Sequence, residues 1–279
     1  MSAPFSLTGL LLAVSLWCMP AAQLCAAELI ADPNLREAIL QIYKARQPDK
    51  KTIEPQDLKS LSVLNAENRK IRNLAGLEHC EKLMELRLAH NQIQDLAPLG
   101  SLHHLQSLSL AHNQIADLSP LSGLNRLQLL DLDRNKIESL AGLEQLVNLR
   151  TLTLSVNKIS DLKPLSNLSR LISLDLTNNS ITDLAPLSGV TSLSTLSLKN
   201  NRLKTVAPLA ACTNLHYLFL EGNPLSDISV LVEMARKDLA GPMRFAPYWF
   251  VYLDVDRAPK IVRQQVDDLK KAGVRINVR

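Results

Sequence analysis

The stretch "LAHNQIADLSPL" occupies residues 110–121 and sets one asparagine, Asn113, in a run punctuated by leucine and isoleucine and closed after a proline. Twenty-two residues earlier, "LAHNQIQDLAPL" fills 88–99 with the same spacing and Asn91 in the same place. Counting on in steps of twenty-two reaches Asn135, Asn157, Asn179, Asn201 and Asn223. A period of this length marks stacked supersecondary units, so the asparagine belongs to a repeat before it belongs to any site.

The other columns say what each unit buries. Leu61, Leu83, Leu105, Leu127, Leu149, Leu171, Leu193 and Leu215 open the units. Three residues on, leucine recurs from Leu64 to Leu218, and two further on from Leu88 to Leu220, with Ala66 in the first unit. Alternation between these two columns predicts a short strand with one face inward. Ile71, Ile93, Ile115, Ile137, Ile159, Ile181, Leu203 and Leu225 turn back into the core, and the column from Leu99 to Leu231 lines the far side. One coil cannot bury that many aliphatics, but eight stacked coils bury each layer against two neighbours. Pro98, Pro120, Pro164, Pro186 and Pro208 on the return leg disfavour a long helix, so the convex side is expected to be 3₁₀ or extended.

The asparagine follows the strand, where backbone groups leave the ladder. An amide with donors and an acceptor can satisfy several of them and should touch the adjacent coils. These positions are read as a structural asparagine ladder.

Eight copies in one register resemble the 22-residue leucine-rich repeats of the internalins and of SDS-type phosphatase regulators. The resemblance covers residues 61–231 and implies a curved α/β solenoid with a parallel concave sheet and helical caps at both ends. "ADPNLREAILQIY" resembles the cap helix before internalin repeats, with Asp32 as N-cap, Pro33 in the first turn and Leu35, Ile39 and Ile42 on one face. The first repeat departs from the pattern, since Arg69 stands where the asparagine is expected. "FVYLDVD" puts Leu253 and Asp256 where Leu220 and Asn223 would stand, and suggests one degenerate strand. A final helix carries Val262, Val266 and Leu269 and stops at Gly273. The expected organisation is a signal peptide (1–27), an N-terminal cap (28–60), repeats (61–232), and a degenerate repeat with a cap helix (233–279).

The signal peptide rests on an apolar run at 7–17, Pro20 and the small-residue stretch before a cleavage site after Ala27, although no Lys or Arg precedes the run. Cys25 follows the bulky Leu24, which does not fit a lipoprotein signal. Residues 7–17 are too few for a comfortable membrane span, and no later segment offers an anchor. Export implies a secreted or periplasmic product, whereas an uncleaved N-terminus would place the chain in the cytoplasm. Cys80 and Cys212 share a column six periods apart, about 29 Å at ~4.8 Å per strand, so no disulfide can join them.

The net charge is +4, and residues 233–279, with ten Lys or Arg against six acids, carry that excess. No Arg-rich run or basic and aromatic interleaving supports nucleic-acid binding, and none is expected. Nucleophile elbows and phosphate loops are absent, and only nine glycines occur. His90 and His112 share a column one repeat apart, but two ligands make a poor metal site. The chain is therefore expected to be no enzyme and to need no metal or cofactor.

The resemblance implies protein or peptide recognition on the concave sheet. Val63, Glu85, Ser107, Leu129, Thr151, Ser173, Thr195 and Tyr217 point outward in one column, and Asn65, Arg87, Ser109, Asp131, Thr153, Asp175, Ser197 and Phe219 in another. The middle is mostly Ser and Thr, the default for a solvated strand face. Tyr217 and Phe219, with His216 beside them, are candidate anchors, or else core covered by the C-terminal cap. Asp131, Asp133 and Asp175 around Leu129 are a candidate acidic patch, or else a solvated face. Arg87 completes the candidate set. Other readings are an intracellular regulatory subunit docking a phosphatase and an envelope scaffold without a specific ligand.

Overall fold

Each unit contributes a three-residue strand whose central leucine is buried and whose flanking residues face outward. The computed structural model describes residues 29–241 and 246–277. The signal-peptide reading of 1–27 lies outside the described residues. The strands are β1 (Val63–Asn65), β2 (Glu85–Arg87), β3 (Ser107–Ser109), β4 (Leu129–Asp131), β5 (Thr151–Thr153), β6 (Ser173–Asp175), β7 (Thr195–Ser197), β8 (Tyr217–Phe219), β9 (Phe250–Tyr252) and β10 (Arg275–Ile276). All pair in parallel, in chain order, in one sheet. From β1 to β8 the register is an unbroken offset of twenty-two residues, as in Leu64 opposite Leu86. The return legs are short 3₁₀ turns such as Ala97–Leu99 and Lys163–Leu165, each with its proline in the first turn. Asp95, Asp117, Asp161 and Asp183 start these turns by accepting from the N–H two residues on.

The asparagines bond to their own coil and to the one before it. Asn113 Nδ2 donates to the carbonyls of Leu110 (3.0 Å) and Ala111 (3.2 Å) in its own coil, and to that of Leu88 (3.0 Å) in the preceding one. Its Oδ1 accepts from Ile93 N at 3.0 Å, also in the preceding coil. The contact is thus one-sided, where both neighbours were expected. Asn135, Asn157, Asn179 and Asn201 repeat the pattern through Ile115, Ile137, Ile159 and Ile181, Asn223 does so through Leu203, and Asn91 accepts from Ile71. The residue before each asparagine is left-handed, from His90 (φ 58°) and His112 (φ 54°) through Val156 (φ 54°) to Gly222 (φ 73°).

At the N-terminal end, helix α1 (Pro33–Lys44) is locked to the repeats by one carboxylate. Asp32 Oδ1 caps the helix by accepting from Asn34 N (2.9 Å) and Leu35 N (3.1 Å). Its Oδ2 accepts from Arg72 N (2.9 Å) and Asn73 N (3.2 Å) in the first coil. Burial opposes ionisation of Asp32, but these four N–H groups outweigh it and hold its pKa below the usual carboxylate range. Leu35 and Ile39 are buried as expected, whereas Ile42 is 37% exposed because Ala38 and Leu40 share the inner face instead. A short helix α2 (Pro55–Ser60) joins α1 to β1.

At the other end the eighth coil is long. Helix α3 (Ser229–Leu239) replaces the 3₁₀ turn and packs against α4 (Lys260–Lys271), which buries Val262, Val266 and Leu269. Gln265 ties the two together, donating to Asp227 (2.7 Å) and accepting from Ile228 N (2.9 Å). The strand expected at "FVYLDVD" is β9, in the predicted register, but Asp256 is exposed and takes no place in the ladder. Asn277 closes the stack beyond α4, exchanging side-chain bonds with the N–H and C=O of Leu253 at 2.9 Å each. Cys80 and Cys212 are buried free thiols, and burial pushes their pKa values up to about 12 and about 11.

Two substitutions test this frame by urea unfolding. Asn113→Ala leaves buried backbone groups without partners and is expected to cost about 1–3 kcal/mol, against roughly 0.5 kcal/mol or less for Ser107→Ala. Equal losses would contradict the ladder. Val156 holds a left-handed conformation that a β-branched residue tolerates badly, so Val156→Asn is expected to stabilise by about 1 kcal/mol. A destabilised variant would mean that Val156 packing outweighs the strain.

Candidate protein-binding face

Outward residues of consecutive strands form two rows, and their character changes along the sheet. In the first row Ser107, Leu129, Thr151, Ser173 and Thr195 lead to Tyr217, and β9 extends the row with Phe250. In the second, Ser109, Asp131, Thr153, Asp175 and Ser197 lead to Phe219 and then Tyr252. Because the strand repeat is ~4.8 Å, like positions on neighbouring strands stack directly. Tyr217 lies on Phe250 with ring centres 5.2 Å apart, and Phe219 on Tyr252 at 4.7 Å. Lys199 Nζ sits 4.7 Å from the Phe219 ring centre and the Arg275 guanidinium 5.0 Å from that of Phe250. A cation over a ring face is attracted by its quadrupole, so both stacks carry a positive end. Lys199 is also paired with Glu221 at 2.9 Å.

Among the described residues the C-terminal segment stacks beside these rings without burying them fully. Strand alternation sends Trp249 into the core at 0% exposure and leaves Phe250 and Tyr252 half-buried on the concave side. Tyr217 is 42% exposed and Tyr248, just ahead of β9, 60%. Lys199, Phe219, Glu221, Tyr252, Leu253, Asp254 and Asn277 border a hollow of about 450 Å³ at the end of the second row. His216 stands apart from this surface: its Nδ1 is held by the Asn214 carbonyl (2.8 Å) and the Ser194 hydroxyl (3.3 Å) ahead of the strand. Of the arginines of the basic C-terminal segment that charge complementarity beside Tyr217 and Phe219 would call on, Arg257 lines a separate cleft of about 520 Å³ with Leu225, Pro259 and Val262, and Arg244 lies outside the described residues. The cations at the rings are thus Lys199 and Arg275.

The acidic residues are occupied by the protein itself. Asp131 accepts from the hydroxyls of Ser109 (3.2 Å) and Thr153 (2.7 Å) and from Asp133 N (3.2 Å). Asp175 accepts from both the N–H (2.9 Å) and the hydroxyl (2.6 Å) of Thr177. Asp133 accepts from Ser155 N at 2.7 Å, but burial, with help from the charges of Asp131 and Asp175, raises its pKa. Leu129, beside them, is 39% exposed. Arg87 pairs with Glu85 on its own strand, six strands or roughly 29 Å from the aromatic stacks. The candidate residues therefore form three separate groups along the sheet.

His90 and His112 stack with ring centres 4.0 Å apart. Near-parallel rings point their lone pairs side by side, which does not converge on one ion. Among the described residues no group of three or more His, Cys, Asp or Glu is placed to hold a metal.

Family models for leucine-rich repeats match residues 103–145, 147–189 and 191–233, and a further single-repeat model matches 79–96. The chain belongs to the leucine-rich repeat family, in its internalin-like class. It is similar to the crystal structure of the internalin InlF from Listeria monocytogenes at 28% identity and TM-score 0.77, covering 90% of this chain and 76% of that one. Internalin C2 from the same organism aligns at 31% identity and TM-score 0.70, over 75% of this chain and 92% of its own. A leucine-rich repeat protein from Leptospira interrogans matches at 30% identity and TM-score 0.56, over 69% and 50%. Comparison with curated proteins gives no match. No helix among the described residues is long and apolar enough to cross a membrane.

The half-buried carboxyl of Asp133 gives a test with a sign. A carboxyl whose folded pKa is raised makes the native state lose stability as pH rises through the carboxylate range. Asp133→Asn keeps an acceptor for Ser155 and removes the charge. The variant is expected to be more stable than the parent near neutral pH and to lose that advantage at acidic pH, read by urea unfolding at both. A neutral-pH loss would show that the Asp133 charge stabilises the fold.

Proposed function

We propose that this leucine-rich repeat chain recognises a protein or peptide on its concave sheet, anchored at the C-terminal end by Tyr217, Phe219, Phe250 and Tyr252. The supporting observation is the change from small hydroxyl residues to two aromatic stacks flanked by Lys199 and Arg275. Aromatic side chains with adjacent cations supply large contact area at low entropic cost, the character of interface anchors. Asp131, Asp133, Asp175 and Leu129 at the centre of the sheet, and Arg87 towards its N-terminal end, are read as a flanking contact surface rather than the anchor. His216 supports the edge through Asn214 and Ser194. Eight strands at ~4.8 Å and a three-residue width give somewhere near 500 Å², below the ~800 Å² per partner of a stable interface. A partner should therefore extend past the sheet onto β9 and the terminal hollow.

We read residues 1–27 as a signal that directs the chain to the periplasm or outside the cell. Mass-spectrometric determination of the mature N-terminus checks this, and an intact Met1 would favour an intracellular regulatory role instead. For the binding site, Tyr217→Ala and Phe219→Ala together are expected to weaken capture of the native partner by about thirtyfold or more, since a true anchor is worth roughly 2 kcal/mol. Ser107→Ala should leave capture unchanged. A folded double variant with undiminished affinity would remove the anchor from the aromatic stacks.

A further inference from the structure

Spatial neighbours in this solenoid are about twenty-two residues apart, so a charge cluster need not form a run in the sequence. On the edge where the chain enters the strands, Gln106, Gln128 and Arg150 occupy one column, each directly ahead of its strand, and Arg126, Asn148 and Arg170 occupy a second. All six line one groove of about 260 Å³. Arg170 Nη1 donates to Asn148 Oδ1 at 2.6 Å, Asn148 Nδ2 donates to the Asn125 carbonyl at 2.7 Å, and Arg126 Nη1 meets His104 Nδ1 at 3.1 Å. Among the described residues none of the three arginines forms an ion pair, and the Arg150 guanidinium has no hydrogen-bond partner. Exposed aliphatics neighbour the groove residues: Val147 (43%) precedes Asn148 in the chain, Leu129 (39%) follows Gln128, and Ile172 (44%) donates its N–H to the Arg150 carbonyl.

We propose that this arginine edge, spanning three coils, is a docking site for an acidic, extended segment of a protein, with carboxylates set two or three residues apart and aliphatic side chains between them. The proposal rests on the protein-recognition reading of the fold but uses a surface separate from the aromatic stacks. Unpaired guanidinium forks match carboxylates bidentately, and arginine is the cation enriched at protein interfaces. An extended peptide lying along the solenoid axis advances ~3.3 Å per residue, so carboxylates two or three residues apart meet arginines roughly one or two coils apart. The neighbouring amides of Gln106 and Gln128 can serve the peptide backbone. Val147, Leu129 and Ile172 favour a protein segment over a phosphate or sulfate polymer, which would need cations continuing along its length. Here the first column passes to Ile172 and Ser194 on one side and to Met84 on the other, and the second passes to Ser192 on one side and to His104 on the other before it reaches Lys82 two coils away.

The test uses the full chain and a fluorescent synthetic peptide with glutamates two and three residues apart and leucine and valine between them. A second peptide has glutamine for every glutamate, and inorganic polyphosphate and dextran sulfate are titrated separately. The glutamate peptide is expected to bind, with affinity falling as salt rises. Arg126→Gln, Arg150→Gln and Arg170→Gln combined should weaken it by about tenfold or more. The corresponding lysine triple variant should recover only part of this, because the planar fork is lost. Tyr217→Ala with Phe219→Ala should leave the peptide bound, so that failure of the aromatic anchor and failure of the arginine edge are told apart. Three results would overturn the proposal: a glutamine triple variant of unchanged circular dichroism and melting temperature that binds equally well, a glutamine peptide that binds as tightly, or a polyanion that binds at these arginines more tightly than the peptide.

Discussion

One side-chain amide holds the stack together. At the point where each strand ends, the backbone turns through a left-handed residue and its polar groups leave the sheet within the protein interior. The asparagine that follows donates to carbonyls of its own coil and of the preceding coil and accepts an N–H from that preceding coil. Aspartate could accept that N–H but could not donate to the carbonyls, and leucine could do neither, so the position tolerates little else. Because each asparagine also bonds to the coil before it, through one donated and one accepted hydrogen bond, each unit is completed by its successor. The chain must therefore supply something different at both ends.

It does so with carboxylates and amides of another kind. Asp32 gives one oxygen to the cap helix and the other to the first coil, so that one carboxylate joins α1 to the repeats through backbone N–H groups of both. Asn277 performs the closing role at the far end, after a coil of thirty-three residues has made room for α3. With the framework fixed by buried leucines and asparagines, the outward residues of the strands and of the entering edge are free to vary. The aromatic stacks and the arginine edge lie at such positions.

Much of this was legible because the repeat is strict. The strand register, the 3₁₀ return legs and the asparagine column follow from counting by twenty-two, and Asp32 and Pro33 announce the cap helix through familiar capping chemistry. What was not legible depended on breaks in that count. The strand β10 is two residues long and follows a helix, so no alternation marks it. Trp249 and Phe250 differ in burial only through strand parity, which "APYWFVY" does not reveal by itself. The left-handed column was hidden because its members are as different as His112, Val156 and Gly222. Arg126, Arg150 and Arg170 escape a search for basic runs because their proximity comes from stacking. The sequence left the acidic patch as either a docking surface or a solvated face, and it did not show that Ser109, Thr153 and Thr177 donate to its oxygens, because those partners lie on neighbouring strands or two residues on.

The central claim is that the asparagine amides couple each coil to the one before it. Native-state hydrogen exchange reads this directly at the backbone N–H groups of Ile93, Ile115, Ile137, Ile159 and Ile181, which donate to ladder oxygens. In the parent chain these amides should exchange only through large-scale opening, with protection matching that of the central strand leucines. In the Asn135→Ala variant Ile115 should lose that protection while Ile181, three coils on, keeps it. Exchange at all five sites as fast as at exposed loop amides in the parent chain would contradict the coupling.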